Sequence, residues 1–234
     1  MNDFLKRFGR SQSTYILDGI REGFFPEDIG KEISSFLASE HLYVSATREI
    51  ETKLENLNNE FKYTKNRNPI HLIKIRIKTP KSIMAKLQRR GFDLTVESAK
   101  QNLTDIAGIR VICPYIDDIY LISNMLTFQD DIELLRTNDY IKNPKPNGYR
   151  SLHLIVSVPV FLSDSKELVK AEVQIRTIAM DFWASLEHDI AYKLPVGKSE
   201  AIGEELKDCA DVINNTDKRM QNLYNILATH KTSD

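Results

Sequence analysis

The chain is expected to fold as an α+β protein, a mixed β-sheet covered by helices, with helical extensions at both ends. Three observations carry this expectation. Strand-period and helix-period segments are interspersed through the middle of the chain. Long helix-period stretches flank that middle on both sides. Of 234 residues, 41% are hydrophobic and 28% charged, the balance of a folded chain with one sizeable core rather than a disordered one. The expected organisation is residues 1–65 as an N-terminal helical region, 66–195 as the central core and 196–234 as a C-terminal helix, all within a single domain.

Residues 1–26 are mixed and dotted with glycine, and short helices are expected there. From Glu27 to about Tyr63, Ile29, Ile33, Phe36 and Leu37 mark an apolar stripe that Ile50, Leu54, Leu57 and Phe61 continue at helical spacing. Asn66 to Pro69 breaks the pattern. His71 to Lys78 alternates Leu72, Lys74, Arg76 and Lys78 against Ile73, Ile75 and Ile77, which is strand period. Pro80 suits the first turn of a helix running to about Arg90. Ile106–Cys113 reads as a strand, Ile116–Phe128 as a helix and Ile132–Ile141 as a strand. The prolines and glycine of Asn143-Pro-Lys-Pro-Asn-Gly148 mark a loop. Strands follow at Leu152–Phe161 and Leu168–Arg176, then a helix at Ile178–Tyr192. From Ile202 onward, Leu206, Cys209, Ile213, Thr216, Met220, Leu223 and Leu227 form a heptad-like seam. It serves either a helix packed on its own domain or a coiled coil with another chain.

A net charge of −1 gives no global attraction to a polyanion, so any basic surface is local. Cys113 and Cys209 form neither a disulfide framework nor a CxxC metal signature, and a reducing cytoplasm is the expected location. The N-terminus is charged within three residues and has no apolar core, so no signal peptide is expected. The longest uncharged apolar run, around Leu154 to Leu162, is too short to cross a bilayer, and no membrane partner is expected.

Four signals carry chemistry. The first is a window from Phe61 to Phe92 with ten basic residues and no acidic one. Arg76 and Lys78 share a strand face, and Ser82, Lys86 and Arg89 a helix face. Such a cluster suits an oligophosphate through charge-assisted hydrogen bonds, and equally a solvated surface or an RNA-binding face; nucleic acid binding is compatible with it but is not the expectation. The second is a pair of carboxylates. Asp105 precedes a strand, where a turn or cap role is the plain alternative. Glu172 shares a polar strand face with Lys170, Gln174 and Arg176, where the alternative is simply a wet face. If their strands are neighbours, the pair can hold one Mg²⁺ together with substrate phosphates and water. The third is Asn143 to His153, in which a glycine loop delivers Tyr149 beside Lys145, Arg150 and His153. An aromatic face among cations suits a nucleotide, base stacked and phosphates paired, although a core-edge tyrosine and a structural histidine fit too. The fourth is Arg176 to His188, where Phe182, Trp183, Leu186 and Ile190 form a stripe read as core and Asp181 lies on another face. There Asp181 is placed either to accept from a guanine edge or to interact with the helix dipole. Gly197-Lys-Ser199 is no P-loop, because the earlier glycine is replaced by Tyr192. His188-Asp189 has no histidine framework around it.

Together, Arg76-Ile-Lys-Thr-Pro-Lys-Ser-Ile-Met-Ala-Lys86, Asp105-Ile-Ala-Gly-Ile-Arg-Val-Ile-Cys113, Asn147-Gly-Tyr-Arg-Ser-Leu-His153 and Glu172-Val-Gln-Ile-Arg-Thr177 with Asp181-Phe-Trp-Ala-Ser-Leu-Glu-His188 resemble the RelA/SpoT-type synthetase domain, and within it the small alarmone synthetases. Four ordered motifs over roughly residues 45 to 195 make the resemblance specific. It implies a nucleotidyltransferase-like synthetase fold and transfer of pyrophosphate from ATP to the 3′-hydroxyl of GDP or GTP. It implies that Arg76 and Arg110 sandwich adenine, and that Lys78, Ser82, Lys86 and Arg89 contact the ATP phosphates. Asp105 and Glu172 would ligate Mg²⁺, with Glu172 also the base. Tyr149 would stack on guanine and Asp181 read its edge; Lys145, Arg150 and His153 would contact acceptor phosphates, with Gln174 beside the acceptor ribose. The resemblance also implies synthesis without hydrolysis, and a homotetramer whose contacts come from the terminal helices.

Overall fold

The computed structural model describes residues 27–193 and 199–230; the short helices expected over residues 1–26 lie outside them. The elements are α1 (Glu27–Lys65), β1 (Leu72–Ile77), α2 (Pro80–Arg90), α3 (Val96–Asn102), β2 (Ala107–Cys113), α4 (Ile116–Thr127), β3 (Glu133–Asp139), β4 (Leu152–Phe161), β5 (Lys166–Thr177), α5 (Ile178–Lys193) and α6 (Ser199–His230). Five strands form one mixed sheet in the order β1-β2-β5-β4-β3. The β2–β5 pair is parallel and the other three pairs are antiparallel.

Strand period sorts the sheet into two faces. Ile109, Val111, Leu154, Val156, Val173 and Ile175 turn to one face and are buried there against Ile50 and Leu54 of α1 and Ile119, Ile122 and Leu126 of α4. Each fully buried aliphatic side chain of this kind contributes about 1.5–3 kcal/mol. The other face carries Lys74, Arg76, Arg110, His153, Glu172, Gln174 and Arg176. The apolar face fixes the register, since slipping one residue would exchange the two sets. The functional residues are therefore held by the packing beneath them.

Local chemistry sets the helices beside the polar face. Thr79 caps α2 by accepting from the Ser82 amide (3.3 Å), Pro80 occupies the first turn, and Gly91 closes it at φ +72°, donating to the carbonyls of Leu87 and Gln88. Helix α3 was not expected: seven residues give too little apolar periodicity. Its signal was the cap, Thr95 accepting from the Ser98 amide at 3.1 Å.

Two expectations need correction. The α5 stripe is not core throughout: Trp183 is buried and donates to the Leu206 carbonyl (2.8 Å), whereas Phe182, Leu186 and Ile190 are exposed. Helix α5 has one packed side, filled by β5 and α6, and a stripe spanning more than that side faces outward. The α6 seam is likewise displaced. The helix packs on its own chain, with Ile202, Leu206 and Ile213 of the seam half-buried, but the fully buried positions among the described residues are Ala210, Asp217 and Gln221; Cys209, Met220, Leu223 and Leu227 are exposed. Polar contacts select this face. Gln221 accepts from the Asp117 amide (2.9 Å), Tyr224 stacks on Tyr115 with ring centres 4.4 Å apart, and the Arg67 guanidinium lies 5.0 Å from the Tyr224 ring while pairing with Asp118.

Asp217 completes the docking of α6. Thr177 donates to its carboxylate at 2.5 Å and accepts from the Met180 amide at 3.0 Å, joining α6 to the start of α5. Burial raises the Asp217 pKa, outweighing the lowering by the Thr177 hydrogen bond. A raised folded-state pKa means stability that is full below the ordinary carboxylate range and lost as pH rises through the raised value. Asp217→Asn retains an acceptor for Thr177 and removes the buried charge. Its melting temperature at pH 7–8 is expected to exceed wild type by about 2–4 °C, the gap closing under acid conditions, as thermal melts across pH would show.

Candidate active site

The polar face becomes a site because neighbouring strands align its residues in rows. Arg76 lies opposite Gly108, which lies opposite Glu172; Lys74, Arg110, Gln174 and His153 form the adjacent row. These rows floor a cavity of about 500 Å³ lined by Lys74, Arg76, Lys78, Asp105, Arg110, Glu172 and Gln174, with Gly108 between them. A Cβ on Gly108 would stand 3.2 Å from the Arg76 carbonyl, so this glycine lets the strands approach and leaves the middle of the floor clear. The two carboxylates, 67 positions apart, share one cleft with a cationic wall.

Asp105 is held on one side only. One of its oxygens, Oδ2, accepts from Lys78 and, at 2.7 Å, pairs with Lys86. The other, Oδ1, is buried without a hydrogen-bond partner. Burial pushes the Asp105 pKa up, but hydrogen bonds and charge from the two lysines prevail and hold it below the ordinary value. The result is a largely buried, ionised carboxylate with one oxygen unpaired.

Glu172 sits in a longer network. Its Oε1 lies 3.2 Å from His153 Nδ1, and its Oε2 accepts from Gln174 at 2.8 Å. Burial again opposes ionisation, as does the charge of Asp105, but His153 and Gln174 prevail and the pKa is lowered. An ionised Glu172 only accepts, so Nδ1 of His153 donates to it, and Nε2 on the far side of the ring lies 2.8 Å from the Tyr149 hydroxyl. Arg176 in turn donates to that hydroxyl (2.5 Å) and to Gln174 (2.8 Å). The aromatic position and the Glu172 carboxylate are thus mechanically joined.

Lys145 hangs over both Tyr149 and Tyr140, its ammonium 4.7 and 4.8 Å from the ring centres. Asp181 accepts from Arg110 at 3.1 Å and from Arg176 at 3.3 Å, with Lys74 at 3.6 Å. It connects the Arg76–Arg110 side of the cleft to the Tyr149 side. Three of the expected residues take no part in these contacts. Ser82 is exposed on the first turn of α2, accepting from the Thr79 hydroxyl, and Arg89 is exposed on its last turn. Arg150 does not line the cavity and binds Ala210 and Asp211 of α6.

Arg176 is a site residue that sequence reasoning did not assign. Its side chain is buried, with its guanidinium 5.0 Å from the Tyr149 ring centre and bonds to Tyr149, Gln174, Asp181 and Ser151. The available signal was strand period, which puts it on the face of Glu172 and Gln174. Lys74 was visible in the same way. Tyr140, outside the motif that delivers Tyr149, had no comparable signal.

A cationic cleft with two ionised carboxylates, joined to an aromatic pocket on the polar face of a mixed sheet, defines a site for nucleotide and oligophosphate chemistry. The model of the region found in RelA / SpoT proteins matches residues 75–196, which contain every residue named as lining this cleft except Lys74. GTP pyrophosphokinase YwaC of Bacillus subtilis (strain 168) is 45% identical over 179 residues, covering 76% of this chain and 85% of that protein. Among solved structures, small alarmone synthetase 2 of Bacillus subtilis aligns with a TM-score of 0.73 at 42% identity, over 81% of this chain and 98% of the other. Small alarmone synthetase 1 of the same organism, bound to its product pppGpp, aligns with a TM-score of 0.72 at 32% identity, over 78% and 93%. The chain belongs to the RelA/SpoT family.

Proposed function

We propose that the protein transfers the β,γ-pyrophosphate of ATP to the 3′-hydroxyl of GDP or GTP, releasing AMP and forming (p)ppGpp. The observation that carries this reading is the single cleft in which Asp105 and Glu172 face Arg76, Lys78 and Arg110, with Glu172 joined through His153 to Tyr149. In this reading adenine lies between Arg76 and Arg110. Lys78 and Lys86 bind the donor phosphates, with Ser82 and Arg89 on the exposed side of α2 as further contacts. Guanine stacks on Tyr149 with Asp181 at its edge, and Lys145 and His153 receive the acceptor phosphates beside Gln174.

The chemistry follows from these positions. The acceptor 3′-oxygen bonds to the β-phosphorus as the bond from that phosphorus to the AMP oxygen breaks, and the electron pair leaves with AMP. The hydroxyl proton passes to Glu172. A carboxylate held below its ordinary pKa is a weak base, but it is ionised before the acceptor arrives. A loose transition state asks mainly for alignment, with proton transfer coming late. Lys78 and Lys86 meet the charge on the phosphates without reorganising, because Asp105 already holds them. Asp105, through its unpartnered oxygen, and Glu172 are the residues that would hold Mg²⁺. Among the described residues no three His, Cys, Asp or Glu groups cluster to hold a metal. Two carboxylates with substrate phosphates and water are a donor set typical of Mg²⁺. When bound, that ion neutralises phosphate charge.

Purified protein incubated with ATP, Mg²⁺ and GDP or GTP is expected to yield AMP and a 3′-pyrophosphorylated guanosine nucleotide in equal amounts. Release of ADP would instead mark an ordinary kinase and overturn the reading. Synthesis without hydrolysis belongs to the proposal, so isolated product returned to the protein should release no pyrophosphate. A cytoplasmic homotetramer completes it. Exposed apolar side chains on α6, Val212, Met220, Leu223, Ile226 and Leu227, support association, and light scattering would measure it. No helix among the described residues is long and apolar enough to cross a membrane.

A further inference from the structure

We propose that Arg150 is a positioning residue that ties the acceptor loop to α6, so that the placement of α6 sets affinity for the pyrophosphate acceptor. The inference rests on the reading of residues 143–150 as the acceptor loop and departs from the expectation that Arg150 binds acceptor phosphate.

The loop's own bonds are few. Gly148 donates to the Lys145 carbonyl (2.8 Å), Lys145 donates to the Tyr149 carbonyl (3.2 Å), and the Tyr149 amide donates to the Asn147 side chain (3.2 Å). These shape the turn but do not say where it sits. Beyond the strands β3 and β4 that it joins, its placement comes from the helices. The Arg150 side chain is only 11% exposed. One guanidinium nitrogen donates to the Gly148 carbonyl (3.0 Å) and to the Ala210 carbonyl of α6 (3.2 Å), and another to Asp211 (2.8 Å). A planar guanidinium holding two points of a helix and one of the loop fixes their separation and angle.

Close contact enforces the same placement. Gly148 has φ +87°, and a Cβ there would lie 2.7 Å from Ala210 Cβ and 3.3 Å from Lys207 Cα. The loop therefore meets α6 backbone to helix, at a distance only glycine permits. Asn147 adds a bond to Glu187 of α5 at 3.1 Å, and α5 is itself bound to α6 through Trp183. Tyr149 lies between the two anchors, Gly148 and Arg150. A shift of α6 must move it, and with it the hydroxyl that His153 relays to Glu172.

The test measures Michaelis constants for GMP, GDP, GTP and ATP in wild type, Arg150→Gln, Arg150→Lys, Asp211→Asn and the double variant Arg150→Gln with Asp211→Asn. Amide hydrogen exchange at Lys145 and Gly148 and equilibrium dialysis of GDP accompany it. Arg150→Gln is expected to raise KM about tenfold, and equally for every acceptor regardless of phosphate number. Asp211→Asn, at an exposed partner, should raise it about two- to threefold. The double variant should be no worse than Arg150→Gln alone, because both remove one interaction. The ATP constant should stay within about twofold of wild type, and loop amides should exchange faster in each variant. A penalty that grows from GMP to GTP would assign Arg150 to the phosphates and overturn the proposal; unchanged acceptor KM and unchanged exchange would also overturn it. Should Arg150→Gln fail to fold, Arg150→Lys and Asp211→Asn decide by the same criteria. A wild type that transfers no pyrophosphate would sink the proposed reaction, while exchange and GDP dialysis would still decide whether α6 holds the loop.

Discussion

Glu172→Gln is expected to lower pyrophosphate transfer at saturating substrates by about 10³-fold with little change in melting temperature. The side chain's volume is conserved and its surroundings can adapt. Gln174 already bonds both Glu172 and Arg176, and rotation of one amide gives the new carboxamide a partner. What cannot be restored is the negative charge. His153 loses its charged partner, the acceptor hydroxyl loses its proton acceptor, and the cleft loses one of two carboxylates available to a divalent cation. Guanine nucleotide should still bind, since Tyr149, Lys145 and Arg176 are untouched. Turnover measured by AMP release, with dialysis for GDP affinity, separates these effects. A variant within about tenfold of wild type would remove Glu172 from the chemistry.

Asp105→Asn should be comparably severe for turnover, about 10²- to 10³-fold, and should also affect stability. Lys78 and Lys86 both converge on this carboxylate. Without it, two cations in a partly dehydrated wall repel each other with no counter-ion, at a cost of about 1–2 kcal/mol. The pH dependence follows from the depressed Asp105 pKa. A depressed folded-state value gives stability that is present above the ordinary carboxylate range and lost as pH falls through the folded value. Wild type should therefore be the more stable protein at neutral pH, and the difference should shrink on acidification, the reverse of the Asp217→Asn trend. The Mg²⁺ requirement of turnover should shift to higher concentration in Asp105→Asn, while the acceptor KM changes little. Equal stability of the two proteins at neutral and acid pH would show that the lysines do not depend on Asp105.

Much of the fold was legible because it is local. Alternation at Leu72–Ile77 and Lys166–Thr177 reports strand faces directly, and Thr79, Pro80 and Gly91 bracket α2 through bonds within a few residues of themselves. The same alternation already grouped Glu172, Gln174 and Arg176. Arg176 went unassigned because its partners, Tyr149 and Asp181, come from other elements. The attachment of Arg150 to α6 was hidden for a related reason. Its motif suggests a phosphate contact, and its neighbour Tyr149 does face the cleft, but the carbonyl and carboxylate that capture Arg150 lie 60 positions away on α6.

The residue order by itself determined the alternation of elements, the chemical identity of the cationic window and the presence of two carboxylates on or beside strands. Each depends on side-chain type and spacing within a few residues. Only the tertiary structure decided that β2 and β5 run side by side, bringing Asp105 and Glu172 into one cavity, and that α6 buries Asp217 and Gln221 rather than Met220, Leu223 and Leu227 of its apolar seam. Those outcomes depend on which distant surfaces satisfy one another's burial and hydrogen bonds, a competition settled only when the whole sheet and its helices pack together.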